Sequence, residues 1–199
     1  MTTVASTSKL LGALTAPLIA IALVTACTTP GPVTTGETDD VDWLGEYGLE
    51  GLDPREIIER LETLPVEERP EELMASIRTD ALVLSDDAGN ETFLDLPEDE
   101  FYISVAPYTD RTHDCHFHSL TTCLGELRNQ DVDITVTDTT DGTVLLDGTV
   151  RTHDNGFAGI WLPRDIDATL TVEHADKTAS IPVSTTDEDP TCVTTLHLT

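Results

Sequence analysis

The pattern of apolar and polar positions changes near residue 80. Before it, the spacing is helical. Asp53-Pro54-Arg55-Glu56 places an N-cap acid, a proline at the first helical position and a glutamate at the third, a helix start with the parts of a capping box. Ile57, Ile58 and Leu61 follow at helical spacing, and Leu64-Pro65 stops the run. A second start at Arg69-Pro70-Glu71-Glu72 precedes Leu73, Met74 and Ile77, so two short helices are predicted over residues 43–80. Their apolar stripes need a partner, either the rest of the chain or a second copy in a homodimer paired through the N-terminal helices.

From Ala81 the period is two. Leu82 with Leu84, Phe93 with Leu94, and Tyr102 to Val105 mark strands, with a turn over Asp86 to Asn90. Strands resume at Val132 to Val136. Asp141-Gly142 predicts a hairpin turn into Thr143 to Leu146, and Asp147-Gly148 predicts a second turn. Phe157 to Leu162, Thr169 to Glu173, Ala179 to Val183 and Val193 to Leu198 complete the set. Short, evenly spaced strands rich in Thr and Val predict a β-sandwich. The expected class is α+β, a short helical N-terminal region followed by a mainly antiparallel β-sandwich.

The first 26 residues differ from everything after them. Lys9 is their one charge, Leu10 to Val24 is mostly apolar, and Val24-Thr25-Ala26 leads into Cys27. This is the order of a secretory signal, and its apolar run falls short of the roughly 20 residues of a spanning helix. Small residues followed by Cys27 resemble a bacterial lipobox, which implies cleavage before Cys27, a lipid on its thiol and anchoring to the outer face of the cell membrane. An ordinary signal peptide cut at a nearby alanine is the alternative. The Thr-, Pro- and acid-rich stretch that follows cannot bury a core and reads as a tether. The expected organisation is a signal peptide over 1–26, a tether over 27–42, a small helical and β region over 43–108, and a β-sandwich over 109–199 that carries the chemistry.

Charge narrows the partners. The chain has 10 basic and 38 acidic residues, a net charge of −28, and removing 1–26 takes away one lysine and no acid, leaving −29. Such charge excludes nucleic acid, whose phosphates would repel it, and attraction to anionic lipid, so membrane contact is through the lipid anchor only. The acids are scattered along the chain, which favours solubility over a cation-gathering role.

Cysteine and histidine are scarce, 4 and 6 in the whole chain, yet THDCHFHSLTTC (Thr112 to Cys123) holds His113, Cys115, His116, His118 and Cys123. With Cys27 lipidated, Cys115, Cys123 and Cys192 remain, an odd number in an oxidising compartment. A thiol left over points to a metal, a redox role or an intermolecular bridge; one structural disulfide with an inert third cysteine is the alternative. Cys115 and Cys123 have the wrong spacing for a zinc ribbon but can close a loop by a disulfide or a metal. Cys192 joins them only if the fold brings the last strand alongside. Three thiolates suit Cu(I), and three with one imidazole suit zinc. The chain has no GxSxG, P-loop, HExxH or dinucleotide fingerprint, and it is not read as an enzyme.

Three segments in order, THDCHFHSLTTCLGEL (Thr112 to Leu127), RTHDNGFAGIWLPRD (Arg151 to Asp165) and DEDPTC (Asp187 to Cys192), resemble the CueP family of exported copper-binding proteins. The resemblance runs from about Gly51 to the end, and all three cysteines beyond Cys27 fall inside the motifs. It implies copper binding and buffering in the cell envelope, copper resistance, thiol redox chemistry, and delivery to an envelope Cu,Zn superoxide dismutase. It implies Cys115, Cys123 and Cys192 as ligands, with His118 ranked above His113 and both above His116, which stands where the family usually has an aromatic residue. His153 reads as scaffold, and His174 and His197 as surface or strand positions. The expected function is to sequester, buffer or deliver copper, Cu(I) being favoured and zinc the alternative ion. The rival readings are an envelope thiol–disulfide redox protein and a surface sandwich with a structural disulfide.

Overall fold

The computed structural model describes residues 42–199. The signal peptide, Cys27 and nearly all of the tether lie outside them. A turn of 3-10 helix at Asp42–Tyr47 leads to helix α1, Pro54–Thr63. Asp53 Oδ1 accepts from the Glu56 N–H and Glu56 Oε2 from the Asp53 N–H, each at 2.9 Å, so the capping box forms as the sequence requires. The stripe of Ile57, Ile58 and Leu61 is at most 2 % exposed within the chain itself, so it needs no second copy to cover it.

The second predicted helix is a strand. β1 is Leu73–Ile77, and it pairs antiparallel with β2, Ala81–Asp86, which pairs with β3, Glu91–Asp95. Leu73, Met74 and Ile77 fit a helical stripe, but Leu73, Ala75 and Ile77 also alternate. Pairing with β2 selects the alternation, burying those three side chains and leaving Met74 outside.

β4 (Glu100–Val105), β7 (Ala158–Pro163) and the short β10 (Cys192–Val193) form a second sheet, ordered β10-β4-β7, with β10 parallel to β4. β5 (Asp131–Asp138), β6 (Val144–Arg151), β8 (Asp167–His174) and β9 (Lys177–Ser184) form a third, ordered β6-β5-β8-β9 and antiparallel throughout. The hairpin turn at Asp141-Gly142 is present, with Gly142 at φ +77°. Asp147-Gly148 is no turn: both residues lie in β6, opposite Thr135 and Ile134, because the ladder to β5 continues past them. Nor does one strand run from Val193 to Leu198. After β10 the chain bulges at Thr194 and Thr195 and rejoins Tyr108 through Leu196 and Leu198.

The sandwich core lies between the second and third sheets, with Phe101, Ile103 and Val105 of β4 facing Ile134, Val136, Leu170 and Val172. A second core packs α1 on β1 and β2 and includes Tyr102 and Leu120. β4 therefore buries side chains on both faces, and its polar Ser104 is 0 % exposed. Among the described residues no helix is long and apolar enough to cross a membrane.

Candidate metal centre

The segment between β4 and β5 has neither helical nor strand periodicity, and side chains and neighbouring backbone hold it instead. The Glu126 carboxylate accepts from the backbone N–H groups of Thr109, Asp110 and Arg111 at 2.9 to 3.0 Å and from Thr109 Oγ1 at 3.0 Å, which ties the start of the segment to its end. The Arg111 and Asp110 amides press its pKa down to about 2. Near the middle, residues 118–120 lie along the free edge of β1. The Ile77 N–H donates to His118 O at 2.8 Å and the Leu120 N–H to Ala75 O at 2.9 Å.

On the other side the segment meets β10. The Cys192 N–H donates to His116 O at 3.1 Å. Thr191 Oγ1 accepts from the His118 N–H at 3.0 Å and donates to Ile77 O at 2.7 Å. One hydroxyl thus joins β1, the segment and the chain before Cys192. Gly125 lies against Gly156, whose φ is +81°, so closely that a Cβ on Gly125 would stand 2.7 Å from the Gly156 carbonyl oxygen.

This docking brings the sulfurs together. Cys115 forms a disulfide with Cys192, their Cα atoms 5.7 Å apart. The pair considered in the sequence, Cys115 with Cys123, is not the bonded one: Cys123 is free, its Sγ 3.6 Å from Cys115 Sγ. A His113 ring nitrogen and the three sulfurs all lie within 4.8 Å of one another. His113 approaches from the exposed side. His116 is exposed and turns onto Phe117, ring centroids 4.5 Å apart, outside this group.

His118 reaches the sulfurs from the interior. It is 0 % exposed, leans on the Phe157 ring at 4.5 Å, and puts Nδ1 3.8 Å from Cys192 Sγ. Its Nε2 lies 3.0 Å from Glu62 Oε2. Glu62, near the end of α1, is 2 % exposed, and its Oε1 accepts from Ser104 Oγ and Asn155 Nδ2, each at 3.3 Å. Burial opposes charge on all the titrating members of this row, yet the pairings outweigh it. Against its own desolvation, His118 is raised to about 9 by the Glu62 carboxylate and Cys123. Glu62 is lowered despite burial, by His118 and Asn155. Cys123 is likewise lowered by His118 despite partial burial. An imidazolium therefore stands between a carboxylate and a thiol whose ionisation it favours, with the disulfide beside them.

Glu62 is absent from any reading of the motifs, although its signal is in the helix. It falls four residues after Ile58 and beside Leu61, an acid on the face the apolar stripe buries. His153 sits half-buried in the turn after β6. The half-buried His174 puts Nδ1 3.0 Å from Asp131 O. His197 stacks on Tyr108, ring centroids 5.0 Å apart.

Residues 56–197 match the family described as "Periplasmic copper-binding protein CueP". The chain is also similar to the solved crystal structure of S.CueP, at 37% identity and a TM-score of 0.76, the match covering 82% of this chain and 99% of that one. No curated protein matches the chain significantly.

Proposed function

This chain belongs to the CueP family of periplasmic copper-binding proteins, and from that premise we propose that it takes up copper as Cu(I) between Cys115, Cys123, Cys192 and His118, with His113 closing the site from outside. The observation that supports this most is the convergence of Cys115 and Cys123 with Cys192, from the far end of the chain, within 4.8 Å. Thiolate and imidazole donors suit a soft monovalent ion, and no carboxylate belongs to the group. Copper uptake on this reading needs the reduced site, because the Cys115–Cys192 disulfide withholds two of the three sulfurs. Metal load and redox state are then coupled. His116 is the weakest of the candidate ligands, since its ring faces Phe117.

Titration of the reduced protein with Cu(I) against a competing chelator tests the site. Cys115→Ser, Cys123→Ser and Cys192→Ser variants should each bind more weakly, and three variants that all bind like the parent would sink the reading. The metal that co-purifies from copper-fed cells decides between copper and zinc. Sequestration and buffering, with the copper resistance they would confer, need only this site. Delivery to an envelope Cu,Zn superoxide dismutase further predicts that the loaded protein activates the copper-free enzyme. Anchoring through Cys27 predicts that a palmitate analogue labels the parent and not Cys27→Ala.

One observation favours a second reading, thiol–disulfide exchange with partner proteins. A free thiol with a lowered pKa lies 3.6 Å from a disulfide sulfur. Metal-free turnover of a disulfide substrate by a thiol reductant would support it. A disulfide that resists mild reductant would count against both readings and favour a structural role.

A further inference from the structure

We propose that Glu62, on a helix remote in sequence from every cysteine, is the positioning residue of this site: its carboxylate holds the Nε2 side of His118, so that Nδ1 is the nitrogen presented to the sulfurs. The inference rests on the reading of His118 as a copper ligand and says which atom binds and what aims it.

The His118 ring is bounded on two sides, by Glu62 Oε2 at 3.0 Å from Nε2 and by Cys192 Sγ at 3.8 Å from Nδ1. It cannot exchange the two nitrogens freely. Its backbone N–H and C=O are both engaged, by Thr191 and Ile77, and its face rests on Phe157. The carboxylate is itself aimed by Ser104 Oγ from β4 and Asn155 Nδ2 from the turn after β6. Three elements that carry no sulfur therefore converge to orient one imidazole. A ligating histidine whose distal N–H meets a carboxylate has its tautomer and ring direction fixed, and such outer partners are worth about 10–100-fold in metal affinity. As packing alone, a buried ionic row is a poor choice, since apolar side chains of equal volume fill such space at no electrostatic cost.

The test is nitrogen-15 NMR of the imidazoles while the reduced protein is titrated with Cu(I). The expected result is a shift of the His118 Nδ1 resonance, with Nε2 keeping its proton. Coordination through Nε2 would overturn the inference and leave His118 a ligand. No response at either nitrogen would remove His118 from the site and the inference with it. Glu62→Gln keeps an oxygen that accepts from Nε2–H and should keep Nδ1 coordination. Glu62→Ala should lose about 10–100-fold in Cu(I) affinity and bind through both nitrogens in exchange. A Gln variant as impaired as the Ala variant would mean that charge and not orientation matters, and would also overturn it. The parent and Gln measurements decide the question even if the Ala variant does not fold.

Discussion

On its outer side the sulfur cluster meets His113, which is exposed and lies edge-on to Phe157 at 6.2 Å. On its inner side it meets His118, fully enclosed, with both ring nitrogens and both backbone polar groups engaged. Both histidines lie within five residues of the first cysteine of the motif, and residue type alone ranks them as equals. The difference lies in what stands behind each ring: solvent behind His113, and α1, β4 and the turn after β6 behind His118. A side chain backed by water can follow a metal in and out. One backed by a buried carboxylate holds its direction whether or not metal is present.

The largest effect should come from removing the one sulfur supplied by the far end of the chain. Cys192→Ser should reduce Cu(I) affinity by more than the 10–100-fold typical of an outer partner, as read by chelator competition. Next come the two histidines compared in the metal-free protein. His118→Ala leaves the Glu62 carboxylate buried and unpaired and should cost about 3–5 kcal/mol in denaturant unfolding. His113→Ala should stay within about 0.5 kcal/mol of the parent. Equal losses would erase the contrast between the two sides.

The pH dependence sharpens the contrast further. His118 is raised from 6.5 to about 9, so its contribution is complete below 6.5 and fades as pH rises through about 9. Glu62 is lowered from 4.5, so its contribution is complete above 4.5 and is lost only as pH falls through the depressed value. The pair therefore works fully from about 4.5 to 6.5, and the melting temperature of the metal-free protein should decline between pH 6.5 and about 9 in the parent but not by this route in His118→Gln. Cu(I) binding runs the other way. It displaces protons from imidazole and thiols, so the loaded protein should weaken as pH falls. The smallest effect should come from Glu126→Ala, which frees the amides of Thr109, Asp110 and Arg111. Hydrogen exchange should speed up at those three positions and leave β5 and β8 unchanged.

The readability of the sequence follows the same division. β5 and β8 alternate cleanly, with Val132, Ile134 and Val136, then Ala168, Leu170 and Val172, buried in step, because one face of their sheet meets water. β1 reads as a helix in the sequence because its four apolar residues, Leu73, Met74, Ala75 and Ile77, supply a triplet for either period, and its pairing with β2 decides between them. Asp147-Gly148 imitates a hairpin turn, but the ladder to β5 overrides two residues of turn chemistry. The cysteines and histidines were legible by type and scarcity. Their pairing was not, since Cys115 meets Cys192 only through the parallel register of β10 on β4, a contact of high sequence separation. Glu62 was hidden for a different reason: an acid on a helix is ordinary until the face it occupies is known to be buried.

Thr191 does more for the site than join three segments. A cross-link between residues 77 apart restrains the unfolded chain by about 4 kcal/mol in the chain-entropy picture, and cutting it ordinarily lets the two ends drift. Here the ends are tied again one residue away, by the Thr191 hydroxyl to His118 and Ile77 and by the Cys192 amide to His116. Reduction would therefore release two thiols without releasing the segments that carry them. An incoming ion would meet sulfurs already gathered, with only side-chain rotation left to arrange, and the entropy of assembling the site would have been settled when the chain folded.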